Sequence, residues 1–453
     1  MQHRIRLSAA LLSLVAVAAV FGVYSRDPAE AATGPQEPVK YSASPGQTPA
    51  ARDAQSTSAE GVNQYDPSYS WLAWQLFLKV MAPSNGSLTF ESWTEECQLS
   101  AEMVGCPSAA TMASAAQSAA GSRVRVLHGD VLARRAAGTD CSAMVTAPLG
   151  GYAAPSNVRQ NAVFCEEVYV NPPEASFLKA GFTTLAGQQV YGNAHSGLIN
   201  FPGTGVNLVR MALDSVEVKV DWVPASSYSK PTFQCPDPTN TLYTEVINGT
   251  CYALAGIHIT SKATPNWLWA TFEPNSNVTN PNRCDPKLYN ACLDPWGTTS
   301  SQAYVKGQTA QQSPILHRAM AAAHLHPAFN NYFLTGVQTK FVTESGKPTQ
   351  LGSSFVEFNT RVPPGRSSCI TCHRYAYFDG RQPARGRPED NFGKPPHGWP
   401  GIGYACNQNQ NENCAPAAPN STSQDFSWML GLMPYSGAPG SKSAAGDRTT
   451  AQK

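Results

Sequence analysis

Apolar residues recur every three or four positions over Trp71, Leu72, Trp74, Leu76, Phe77 and Val80, which predicts an amphipathic helix. Pro83 ends it, and Asp66 or Ser68 is the candidate N-cap. Further on the period changes from helical to two. Val216-Glu217-Val218-Lys219-Val220-Asp221-Trp222-Val223 alternates cleanly and predicts a strand with one apolar face. Weaker strand patterns cover Val124–Leu127, Ala162–Phe164 continuing to Val168–Val170, and Leu208–Leu213. Cys251–Thr260 and Trp267–Phe272 read as two strands separated by a turn at Thr264-Pro265-Asn266. The small-residue stretch from Ala109 to Ala120 is compatible with a helix or a loose segment. Pro314 to Phe333 has a helical pattern. These elements predict an α+β domain over residues 63–345, its N-terminal part a mostly antiparallel sheet with helices.

Composition changes at both ends. Residues 1–31 have a basic start (His3, Arg4, Arg6), an apolar run from Leu7 to Val23 and the small-residue site Ala29-Glu30-Ala31. That is the layout of a secretory signal peptide, or of an N-terminal anchor if the signal is left uncleaved. Either outcome places the body outside the cytoplasm, a periplasmic or other extracytoplasmic location, with no membrane span expected in the mature chain. Residues 32–62 are rich in Ala, Pro, Ser, Gln and Gly and read as a disordered linker, and residues 440–453 as a polar tail. The formal net charge is +1 and only 14% of residues are charged, so nothing points to nucleic acid.

Twelve cysteines are many for a reducing compartment. Ten fall into neighbouring couples that predict local disulfides: Cys97 with Cys106, Cys141 with Cys165, Cys235 with Cys251, Cys284 with Cys292, and Cys406 with Cys414. The remaining two stand in Cys369-Ile370-Thr371-Cys372-His373. C-x-x-C-H is the attachment signature of c-type haem. The spacing lets two thiols form thioethers with the two vinyl groups on one porphyrin edge, and sets the next imidazole beside the iron. A dithiol redox pair and a zinc site are the competing uses of such residues, but no second C-x-x-C completes a zinc site. The motif occurs once, so one haem (one iron) per chain is expected, bound by Cys369, Cys372 and His373.

The stretch around this motif resembles the c-type cytochromes. It departs from their soluble single-domain members, because residues 379–422 are rich in Gly, Pro and Asn where helices are expected. The resemblance therefore implies a small, loop-rich, α-type haem-binding region with an atypical cytochrome c fold over residues 346–439. Phe355 and Phe358 are expected on a short helix before the motif, broken by Pro363-Pro364-Gly365. A wider resemblance rests on Trp71–Pro83, Val216–Trp222, Ile257-His258-Ile259, Trp267–Glu273, Ser367–His373 and Asp425-Phe426-Ser427. These stretches are similar to exported bacterial cytochrome c family proteins of unassigned activity. The resemblance implies haem and gives no substrate.

The sixth iron position has several candidates. Met433, followed by Pro434, is the leading thioether, and Met429 reads as core. His258, His324, His326 and His397 are the distant imidazoles, and His317 shares a helix face with His324. Residues 361–400 hold Arg361, Arg366, Arg374, Arg381, Arg385, Arg387 and Lys394 against three acids. That run would serve haem propionates or an acidic periplasmic redox partner, or is simply a solvated loop. No G-x-S-x-G, H-E-x-x-H or phosphate-binding glycine loop is present. The expected activity is single-electron transfer. The alternatives are a haem-dependent oxidoreductase (a peroxidase, for example) or gas sensor with an open sixth position, and a binding module stapled by its haem.

Overall fold

The computed structural model describes residues 69–100, 159, 165–195, 199–203, 214–228, 232–264, 266–275, 294–299, 311–339, 351–353, 355, 368–374, 376–378, 422–431 and 433. The expected strands at Val124–Leu127 and Leu208–Leu213, the Ala109–Ala120 stretch, the signal, the linker and the tail lie outside these residues.

The architecture is α+β, built on an antiparallel sheet. Helix α1 (Ser70–Val80) covers one face of that sheet. Its N-cap is Tyr69, which makes no side-chain cap bond; Asp66 and Ser68 lie outside the described residues. Leu72, Trp74, Leu76, Phe77 and Val80 are fully buried, which is the face the helical period predicts. Two short strands, β1 (Pro83–Ser84) and β2 (Ser87–Leu88), form a hairpin behind α1.

The seven-stranded sheet runs β3 (Thr94–Glu95), β4 (Cys165–Val170), β5 (Val216–Pro224), β7 (Thr250–Ser261), β8 (Leu268–Pro274), β9 (Tyr332–Gln338), with β6 (Thr244–Ile247) paired to the start of β7. All pairings are antiparallel. Its register sets up transverse rows of side chains. One row is Val170, Glu217, Thr260, Trp269, Gln338; the next is Val168, Lys219, His258, Thr271, Gly336. A third begins Glu166, Asp221, Gly256.

Alternation along β5 separates the two faces. Val216, Val218 and Val220 join Ile257, Ile259, Ala270 and Phe272 in the core under α1, where Phe77 and Phe272 rings meet at 4.6 Å. Glu217, Lys219 and Asp221 go to the other face. In an antiparallel sheet that second face is commonly solvated. Here it is covered: Glu166, Asp221, His258, Thr260, Thr271 and Glu273 are all buried. The cover includes helices α2 (Pro172–Lys179) and α3 (Leu185–Ala194), and the short C-terminal helices α5 (Cys369–Arg374) and α6 (Trp428–Gly431). Leu178, Phe182 and Phe201 pack there with Cys369, Ile370, Phe426, Met429 and Met433. One apolar cluster thus spans the boundary expected at residue 345.

Three local outcomes differ from expectation. Pro314–Phe333 is not one helix. Helix α4 covers Pro314–Ala322 and closes on His324, whose φ is +54°. Leu325 N–H bonds back to Met320 O and His324 N–H to Ala321 O, a Schellman ending. Pro327 then opens a 3₁₀ turn and Tyr332 starts β9. Helices α2 and α3 are additional to the pattern-based reading. Asn171 and Thr184 cap them by accepting from Glu174 N–H (3.2 Å) and Gly187 N–H (3.1 Å). Phe355 lies in a turn, and Phe358 lies outside the described residues.

Cys235 and Cys251 form the expected disulfide, with Cα atoms 5.6 Å apart. Cys97 and Cys165 are also disulfide-bonded. Cys106 and Cys141, the partners expected for them, lie outside the described residues, as do the 284–292 and 406–414 couples. Among the described residues no helix is long and apolar enough to cross a membrane.

Candidate haem-binding site

Cys369, Cys372 and His373 lie on α5, and spacings of three and four put these positions on one side of a helix. The helix start is held by the last residue of β9. Gln338 Oε1 accepts from Ile370 N–H (3.0 Å), one of the donors a helix leaves open in its first turn, and its Nε2 donates to Ser368 Oγ (2.9 Å). Ser368 also bridges to Leu351. Cys369 is buried, and its Sγ donates to Leu351 O at 3.5 Å.

His373 is oriented from behind. Its Nδ1 lies 2.8 Å from Phe426 O. A carbonyl oxygen only accepts, so Nδ1 carries the hydrogen and Nε2 keeps its lone pair. That is the tautomer an iron ligand needs, and a backbone carbonyl is a common partner for the far nitrogen of a metal-binding imidazole. Trp269 packs against the ring with centroids 4.4 Å apart, and Trp428 stands edge-on at 6.4 Å. Burial pushes the ring's pKa down to about 4, the Phe426 carbonyl opposes that, and Lys219 adds to it. The ring is therefore neutral at ordinary pH.

The Phe426 carbonyl is fixed in turn. Asp425 and Phe426 adopt φ of +48° and +69°, an unusual backbone for residues with a Cβ. Three side-chain contacts hold them there. Asp425 Oδ1 pairs with Lys262 Nζ at 2.6 Å, Asp425 Oδ2 accepts from Phe201 N–H at 2.8 Å, and Ser427 Oγ donates to Glu217 Oε1 at 2.8 Å. Gln424 donates to Gln188 Oε1 (2.7 Å), and Gln188 donates to Phe182 O and Leu430 O, both at 3.0 Å. Burial raises the pKa of Asp425, and the Lys262 ammonium counters it. Strands β10 (Tyr377–Phe378) and β11 (Thr422–Ser423) pair to join this segment to the chain just beyond the motif.

The sequence candidates for the sixth iron position now separate. Met433 is buried in the same apolar cluster as Met429, Ile370 and Leu430, and its N–H bonds to Leu430 O at 3.3 Å. It belongs to the segment that backs the Nδ1 side of His373. His324 and His326 are exposed and follow α4, whose Leu316 and Met320 pack in the core on the opposite face of the sheet. His326 Nδ1 accepts from Ala328 N–H at 3.2 Å. His317 is exposed on α4 itself, and His397 lies outside the described residues. His258 is buried on the same sheet face as Trp269 and His373. Of the basic run only Arg374 falls within the described backbone.

Glu95, Glu96 and Cys97 bring ligand-type atoms together, but Cys97 is already disulfide-bonded and Glu95 accepts from its N–H at 2.9 Å. That group is a turn closed by its own bonds. Trp269, Gln338 and the Lys262–Asp425 pair were not assigned to the site from sequence. The Trp267–Glu273 and Asp425–Ser427 stretches stood out there only as part of a resemblance.

Comparison with family models, with curated proteins and with solved structures finds no match for this chain.

Proposed function

We propose that this is an exported monohaem c-type cytochrome that transfers single electrons. Cys369 and Cys372 would hold the porphyrin by thioethers, and His373 Nε2 would be the proximal iron ligand. When bound, the haem supplies a one-electron ferric–ferrous couple. The observation that carries the reading is the orientation of His373: its Nδ1 is held by Phe426 O at 2.8 Å, on the same short helix as the buried Cys369.

The surroundings favour electron transfer over oxygen chemistry. A carbonyl partner leaves the imidazole neutral, whereas a carboxylate partner would give it more anionic character. Trp269 and Trp428 wall the ring and restrict water at this side. Electrons would enter and leave through a periplasmic redox partner, and the basic run from Arg361 to Lys394 supports one with an acidic docking face.

The test is the double variant Cys369→Ala/Cys372→Ala, exported alongside the native chain. A denaturing gel stained for haem peroxidase activity should light up for the native chain and stay blank for the variant. Covalent stain retained in the variant would end the proposal.

A further inference from the structure

Resting on the haem reading above, we propose that His258 is the second axial ligand of the iron, so that the haem is held between two imidazoles. His258 lies in the row next to that of Trp269, the residue against which His373 packs. The two rows are two residues apart along the strands, about 6.6 Å at roughly 3.3 Å per residue.

The direction of the His373 ring follows from what holds it. The Phe426 carbonyl that takes Nδ1–H is anchored through Asp425 to Lys262, just past the end of β7, and through Ser427 to Glu217. Lys262 lies beyond the Trp269 row on the side away from His258, and Glu217 stands within that row. The ring's other edge, with Nε2, therefore looks along the sheet toward the row of Lys219, His258 and Thr271.

His258 has the properties such a ligand needs. It is 8% exposed, its Nδ1 lies 3.4 Å from Thr271 Oγ1, and its Nε2 has no hydrogen-bond partner among the described residues. A buried ring nitrogen without a partner is costly, so the arrangement calls for an occupant. Thr271 can hold the ring from behind, as Phe426 holds His373. Lys219 is itself engaged by Glu166 at 2.7 Å and does not compete for the nitrogen. The row beyond is closed, since a Cβ on Gly256 would meet Asp221 Oδ2 at 2.6 Å and Phe355 Cβ at 3.3 Å. The position is thus bounded by His373 on one side and Phe355 on the other.

The experiment uses the full exported chain loaded with haem by the host. Reduced-state spectra in alkaline pyridine first establish that haem is bound through two thioethers; their failure would remove the haem reading itself, and this inference with it. With haem present, the ferric protein should be low-spin with a bis-imidazole signature in electron paramagnetic resonance, and with no sulfur-to-iron band at the red edge. His258→Ala should keep its covalent haem and turn high-spin, and added imidazole should restore the low-spin spectrum. His258→Met should stay low-spin, gain the sulfur band and rise in potential. Met433→Ala should leave the native spectrum unchanged. An unaltered low-spin spectrum in His258→Ala, a sulfur band lost in Met433→Ala, or a high-spin native protein would each overturn the assignment.

Discussion

At the residue scale, the two histidines of the buried face differ in how openly the sequence declares them. His373 is legible because C-x-x-C-H ties an imidazole to two thiols at a fixed spacing. His258 is a lone imidazole between Ile257 and Ile259, and such residues are usually hydrogen-bonded core. Only the pairing of β7 with β8 shows that it shares a face with Trp269. Lys262 and Asp425 are 163 positions apart, and no local pattern joins them. Both are buried, so removing one charge leaves the other without its counterion. Lys262→Met should therefore lower the unfolding free energy by about 3–5 kcal/mol, measured by urea denaturation. Lys262→Met/Asp425→Asn should recover part of that loss, since it buries no unpaired carboxylate. A single variant as stable as the native chain would show that the pair does not hold the Phe426 segment.

At the element scale, periodicity locates β5, β7 and β8 well because their apolar face is a continuous row of branched and aromatic residues. It fails where a local signal competes. Ala and Leu continue the helical pattern past residue 322, but His324 takes the left-handed conformation and Pro327 withholds a donor, so the chain leaves the helix and returns as β9. Helix α2 was hidden by its Pro-Pro start, which suits the first helical turn but reads as a loop. This helix sets the buried Glu174 carboxyl beside that of Glu217 of β5. Burial is the main cause that raises the Glu174 pKa well above 4.5, and the Glu217 charge adds to it. A group whose folded pKa is raised gives stability that is complete below its unfolded value and is lost as pH rises through the folded one. Glu174→Gln keeps the shape of the side chain without the titration. Its urea midpoint should fall less between pH 5 and pH 8 than that of the native chain, each unit of pKa shift being worth about 1.4 kcal/mol. Parallel pH profiles would contradict the raised pKa of Glu174.

At the scale of the whole molecule, the sheet is buried on both faces by different means. One face carries an aliphatic and aromatic core under α1. The other carries acids, a lysine and a histidine beneath the C-x-x-C-H motif and the Asp425–Leu430 segment. A domain boundary at residue 345 is the expectation from sequence, because the regular helix and strand patterns give way near Phe341 to a looser connection before the C-x-x-C-H motif. The packing gives the later residues a structural duty, since Ile370, Phe426 and Leu430 complete the second apolar cluster. A chain stopped at residue 345 would expose that cluster and its buried charges, and should show a broad, weakly cooperative urea transition. A sharp transition at the native midpoint would mean that the sheet stands without its cover.

The most direct test of haem attachment is the mass of one peptide. Protein purified from the exported fraction, alkylated without reduction and digested, should yield the Cys369–His373 peptide carrying the added mass of one haem and no alkyl groups. The same peptide recovered with two alkylated thiols, or with Cys369 and Cys372 joined as a disulfide, would contradict the account.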